Sequence, residues 1–83
     1  MPAMTQDEFV KYARNALSGD ALEGLYDVIA EHNGEVAAFG DSWPGALYRI
    51  HAQIAEVKSI ERQLARIEKR EPCDFKFRVM SPR

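Results

Sequence analysis

Residues 44–70 hold no internal proline after Pro44 and no glycine after Gly45. In a chain of 83 residues this single uninterrupted stretch dictates what everything else must pack against. Proline is favoured at the first turn of a helix, so the stretch reads as one helix starting at Pro44, about 40 Å long at 1.5 Å per residue. Its apolar residues are Leu47, Ile50, Ile54, Val57, Ile60, Leu64 and Ile67. The spacing begins as a heptad and then slips, because the next seam positions, 61 and 68, are both glutamate. The apolar stripe therefore swings around the helix between Val57 and Ile60, and the two halves are expected to face different neighbours.

Two shorter helices precede it, over about 5–18 and 21–33. Thr5 followed by Glu8 is a capping box, with Met4 and Phe9 in hydrophobic-staple positions. Phe9, Val10, Ala13, Ala16 and Leu17 follow helical spacing, and Ser18-Gly19 is the expected stop. Asp20 is placed to cap the second helix. Leu22, Leu25, Tyr26 and Ile29 give it an apolar stripe, and Asn33-Gly34 reads as its end. Val36-Ala37-Ala38-Phe39 fits either a helical turn or a short strand. Trp43, just before Pro44, is expected to lie as a lid over the start of the long helix.

Glu71-Pro72 ends the long helix, since a residue before proline avoids helical torsions. Cys73, Phe75, Phe77 and Val79 then alternate with Asp74, Lys76, Arg78 and Met80, the period-two pattern of a half-buried strand over 73–79. The expected fold is a single domain over 1–83. It is mainly α: a short N-terminal helical hairpin packed on one long helix, with a short C-terminal β-strand.

The two short helices, at about 20 Å each, are expected to cover only the first half of the long one. Ile60, Leu64 and Ile67 would then lack cover. Each is worth roughly 1.5–3 kcal/mol on burial, which argues for self-association through these residues. Phe75 and Phe77 join the same expectation, because a lone strand needs a hydrogen-bonding neighbour from outside the local chain. A homodimer follows.

Charge is polarised. Residues 1–43 carry two cations against eight carboxylates, and residues 44–83 carry nine cations against five. Asp20, Glu23, Asp27 and Glu31 form an acidic ridge on the second helix, suited to docking a basic partner. Lys58, Arg62, Arg66 and Lys69 form a basic ridge on the long helix, suited to phosphates but interleaved with Glu61, Glu68 and Glu71. A helix-turn-helix is disfavoured, because the would-be recognition helix exposes an acidic face.

Chemistry-bearing signals are sparse. Cys73 is in phase with Phe75 and Phe77, so it reads as a buried packing residue. His32, in the last turn of helix two, suits the helix dipole, and His51 flanks the apolar stripe. No zinc spacing, EF-hand loop or phosphate-binding glycine loop occurs. The chain is thus expected to be no enzyme and to need no cofactor or metal. With no signal-peptide pattern, no membrane-length apolar run and one lone thiol, it is expected in the cytoplasm. The function it suits best is a non-catalytic protein-binding module: a small inhibitor, adaptor or regulator. The runner-up is an accessory regulator that binds nucleic acid through the basic ridge or mimics it through the acidic one, in the style of a phage-type inhibitor of host machinery.

Overall fold

A computed structural model describes residues 3–41 and 45–82. The Trp43 lid and the start at Pro44 lie outside the described residues. Three helices are present: α1 (Gln6–Ala16), α2 (Gly19–Phe39) and α3 (Ala46–Glu68).

Helix α1 begins as its sequence suggests. The Thr5 hydroxyl accepts from the Glu8 N–H at 3.2 Å, satisfying one of the free donors of the first turn. Phe9 turns to the core while Met4 stays exposed. Helix α2 is capped by Ser18, whose hydroxyl accepts from the Ala21 N–H at 3.2 Å, rather than by Asp20. The same short link therefore ends one helix and starts the next.

The expected stop at Asn33-Gly34 does not occur. Helix α2 continues to Phe39 and ends at Gly40, which takes the left-handed conformation at φ 70°. Two causes act together. The buried series Leu25, Ile29, His32 and Val36 extends the apolar stripe past the expected stop. Asn33 also finds partners elsewhere in the fold, so its side chain does not compete with its own backbone.

Helix α3 ends two residues before the expected boundary. Lys69 adopts φ 55°, and the Arg70 N–H reaches back to the Ala65 carbonyl at 3.0 Å. This is a Schellman-type termination without glycine. It swings Arg70 back over the helix it has just left.

Two clusters form the core. Ala13, Ile60 and Leu64 are buried together, with Phe9, Val10, Ala16 and Leu17 packed around them. Leu25, Ile29 and Ile50 form the second, joined by Ile54, Val57, Phe77 and Val79. The two halves of the long helix thus face different neighbours, as its shifted stripe implies. The hairpin does not sit on the first half alone. Tyr12 reaches Glu56 while Arg14, two residues on, reaches Glu68, which is about 18 Å further along α3. Helix α1 therefore lies across α3 at Ile60 and Leu64, and α2 runs antiparallel beside the first half.

That arrangement corrects the expectation that Ile60, Leu64 and Ile67 lack cover. Ile60 and Leu64 are buried beneath α1, and Ile67 is half-buried. One short helix laid across a long one shields the positions that a parallel arrangement would leave bare.

The C-terminal β-strand is also corrected: among the described residues there is no strand. The segment is an extended strap. Val36–Phe39, the only strand candidate in the chain to pair with it, belongs to α2. The strap's backbone takes side-chain partners instead. Cys73 N–H donates to Glu61 Oε2 at 2.9 Å. Asn33 Nδ2 donates to the Arg78 carbonyl, and Asn33 Oδ1 accepts from the Met80 N–H, both at 2.8 Å. The period-two pattern still governs burial, with Phe75, Phe77 and Val79 half-buried and Asp74, Lys76, Arg78 and Met80 exposed. Cys73 departs from it: expected to be buried, it is exposed.

Candidate functional site

The seam between α2 and α3 has two sides, and they are built differently. On one side lies the strap. Phe77 packs on Tyr26 with ring centroids 5.0 Å apart. His32 is only 4% exposed, and its Nε2 lies 2.8 Å from the Met80 carbonyl. A carbonyl only accepts, so this nitrogen carries the proton, and Nδ1 is left buried without a partner.

The strap is anchored at its start by the two glutamates that interrupt the heptad. Glu61 is 3% exposed. It accepts from both Arg70 Nη atoms, at 2.8 and 3.2 Å, and from the Cys73 N–H. Glu68 accepts from Arg70 Nε at 2.8 Å and from Arg14 at 3.0 Å. The Arg70 hydrogen bonds hold the Glu61 carboxyl below the usual carboxylate range, against the opposing effect of desolvation. Glu68 is lowered by Arg70 first and Arg14 after it. Arg70 is raised by both partners.

The opposite side of the seam is open. Two neighbouring depressions of about 350 and 340 Å³ share Val28 and Gln53. Leu25, Ile50 and Val57 form the floor, and Val28 is 46% exposed. Gly24, Ala21 and Ala16 lie at the end nearest α1. Glu31, His32 and Glu35 on α2, Arg49, Gln53 and Glu56 on α3, and Tyr12 on α1 line the rest. Tyr12 donates to Glu56 at 3.2 Å, and that carboxylate holds the phenol above its ordinary pKa.

The four residues of the acidic ridge, Asp20, Glu23, Asp27 and Glu31, are all exposed along α2. Because α2 is longer than expected, Glu35 continues the same row. Lys58, Arg62, Arg66 and Lys69 are likewise exposed along α3 and its cap. Ile60 and Leu64 lie in the α1 cluster, whereas Phe77 belongs to the α2 cluster. The residues expected to drive self-association are thus split between two cores. Phe75 lines a depression beside Leu17, Leu22 and Leu64.

Sequence reasoning missed the open groove and the Arg70 anchor. Signals for both were present: Val28 is an apolar residue off the main stripe of α2, Gly24 is a glycine inside a helix, and Glu61 and Glu68 occupy seam positions. Among the described residues no group of three or more His, Cys, Asp or Glu side chains is placed to hold a metal ion, and no helix is long and apolar enough to cross a membrane. Comparison with known protein families, with curated proteins and with solved structures finds no match.

Proposed function

We propose that this protein is a non-catalytic protein-binding module, a small inhibitor, adaptor or regulator that acts by docking on another protein. The observation that carries this reading is the acidic face of α2. Asp20, Glu23, Asp27 and Glu31 are all exposed, and Glu35 extends the row. Like charges one turn apart destabilise a helix by a few tenths of a kcal/mol per pair. A face of this kind costs the isolated protein a little stability, which a positively charged partner would repay. An exposed free thiol at Cys73 accords with a reducing, cytoplasmic setting. Ile60 and Leu64 are covered by α1 and offer no bare surface to a second copy. The reading therefore centres on a foreign partner.

The test is charge reversal. Glu23→Lys with Asp27→Lys is expected to leave helical circular dichroism intact and to remove binding of a partner recovered by pulldown and reconstituted from purified components. Unchanged binding would return the acidic face to ordinary solvated surface.

A second reading is favoured by a separate observation. Glu61 is buried and both Glu61 and Glu68 are engaged by Arg70, so two of the carboxylates that interleave with the basic ridge are drawn off it. Lys58, Arg62, Arg66 and Lys69 suit a nucleic-acid backbone, as in an accessory regulator. Binding to generic duplex should then fall with salt, with a slope of about −0.9 per phosphate neutralised. A flat response rejects this reading.

A further inference from the structure

We infer that the open side of the α2–α3 seam is a docking groove for an amphipathic helix of about a dozen residues that carries Lys or Arg beside its apolar stripe. This rests on the protein-binding reading and names the class of partner.

Helix α1 crosses α3 and covers it only near Ile60 and Leu64. From Glu56 back to Ala46, and from Gly24 to Glu35, no helix of the described chain lies on this side of the seam. The bare stretch of α3 is about 16 Å long, which is three turns of helix. Its floor is apolar, and Val28 stands 46% exposed at the centre, where the two depressions meet.

Gly24 lowers one wall of the groove. A glycine inside a helix destabilises it relative to alanine. Its usual justifications are a positive φ or a crowded neighbour. Gly24 has neither: it lies within α2, is absent from the positive-φ glycines, and an added Cβ would meet nothing within 4 Å. The same holds of Gly34 in this helix, but Gly24 is the one that lines the groove, and its missing side chain leaves room there for a helix backbone to approach closely.

Polarity then selects the occupant. Glu31, Glu35 and Glu56 line the groove with Arg49, an excess of two negative charges, and Glu23 and Asp27 lie behind it on α2. A phosphate backbone is repelled by such a rim, and Lys or Arg is attracted. The length and apolar floor of the bare stretch suit a helix, whose backbone is satisfied internally and which needs only its apolar stripe and flanking cations to meet the floor and the rim.

The test uses the full-length, isotope-labelled protein and a synthetic amidated peptide of about a dozen residues. The peptide has Leu and Ala at i, i+3, i+4 and i+7 and Lys on both flanks; a twin replaces each Lys with Glu. The Lys peptide is expected to bind saturably, shifting the amide resonances of Gly24, Val28 and Gln53, and the Glu twin to bind at least tenfold more weakly. Gly24→Met is expected to weaken the Lys peptide at least tenfold, as is Glu31→Lys with Glu35→Lys. Gly24→Ala, which has room for its methyl group, stands in if the methionine variant does not fold. Absence of saturable binding overturns the groove. So do shifts confined to Glu23 and Asp27 that ignore Gly24→Met, although that result leaves the acidic-face reading standing. Concentration-dependent shifts at the same amides without peptide would make a second copy the occupant and overturn the proposal. Failure of the protein-binding reading itself appears elsewhere, as partner binding that survives charge reversal at Glu23 and Asp27.

Discussion

The two sides of the α2–α3 seam share a floor and differ in what covers it. On the strap side, an extended segment lays Phe77 and Val79 against Leu25, Ile29 and Ile50 and has backbone groups bonded to Asn33, His32 and Glu61. On the other side the same pair of helices leaves Val28 half exposed above a groove rimmed by glutamates. The difference teaches that apolar area alone does not decide which side of a helix pair the chain covers. An extended segment needs both donors and acceptors for its backbone, and the strap side presents them. The groove side carries Glu31, Glu35 and Glu56 beside Gln53 and Arg49, and no residue of the strap lines it.

The largest expected effect comes from the floor both sides share. Ile50 is 1% exposed. Ile50→Ala is expected to cost about 3 kcal/mol, within the usual range for truncating a buried aliphatic side chain. Chemical denaturation checks it. A cost under about 1 kcal/mol would mean that the groove side lets the site collapse or admit water.

The anchor comes next. Arg70→Ala removes both guanidinium hydrogen bonds from the buried Glu61 carboxylate and leaves it only Cys73, which is destabilising for the strap. The expected result is a lower unfolding midpoint, with faster hydrogen exchange at Cys73 to Met80 than in α1. Acid is expected to act on the same anchor. The folded-state pKa of Glu61 lies below its unfolded value. Its contribution is therefore present above the ordinary carboxylate range and is lost as pH falls through the depressed folded value. Glu61→Gln should flatten that acid limb of the stability curve. An unchanged limb would remove the anchor from the account.

Asn33→Ala removes two hydrogen bonds between α2 and the strap. With net values of about 1 kcal/mol each, partly offset by the better helix propensity of alanine, a loss of about 1 kcal/mol is expected. Protection should fall at Arg78 and Met80 while α2 stays helical. The smallest effect has the opposite sign. Gly24→Ala is expected to stabilise the free protein by about 0.5–1 kcal/mol, since the groove side has room for the methyl group. Destabilisation there would show that the groove is closed in solution and would break the comparison at its root.

Much of this was legible from local chemistry. The Thr5–Glu8 cap, the change of neighbours after Val57 and the exposure of both charged rows are consequences of spacing along the chain. Each depends on residues within a turn or two of one another, where helix geometry alone relates position to face. The alternation from Phe75 to Met80 was equally legible, but only as a pattern of burial.

What the tertiary structure decided was partnership. Period two means that alternate side chains face inward; it does not say whether the backbone meets another strand or a set of side chains. Asn33 and His32 on α2, and Glu61 on α3, supplied that answer from far away in sequence. Asn33 thereby lost its role as a helix stop, because a side chain engaged with Arg78 and Met80 no longer competes for its own backbone. Glu61 and Glu68 looked like interruptions of a heptad until the left-handed turn at Lys69 brought Arg70 back onto both. The crossing of α1 over Ile60 and Leu64 belongs to the same class. A helix's apolar stripe fixes which face is buried, while the angle at which another helix crosses it is settled only when the side chains of both interlock.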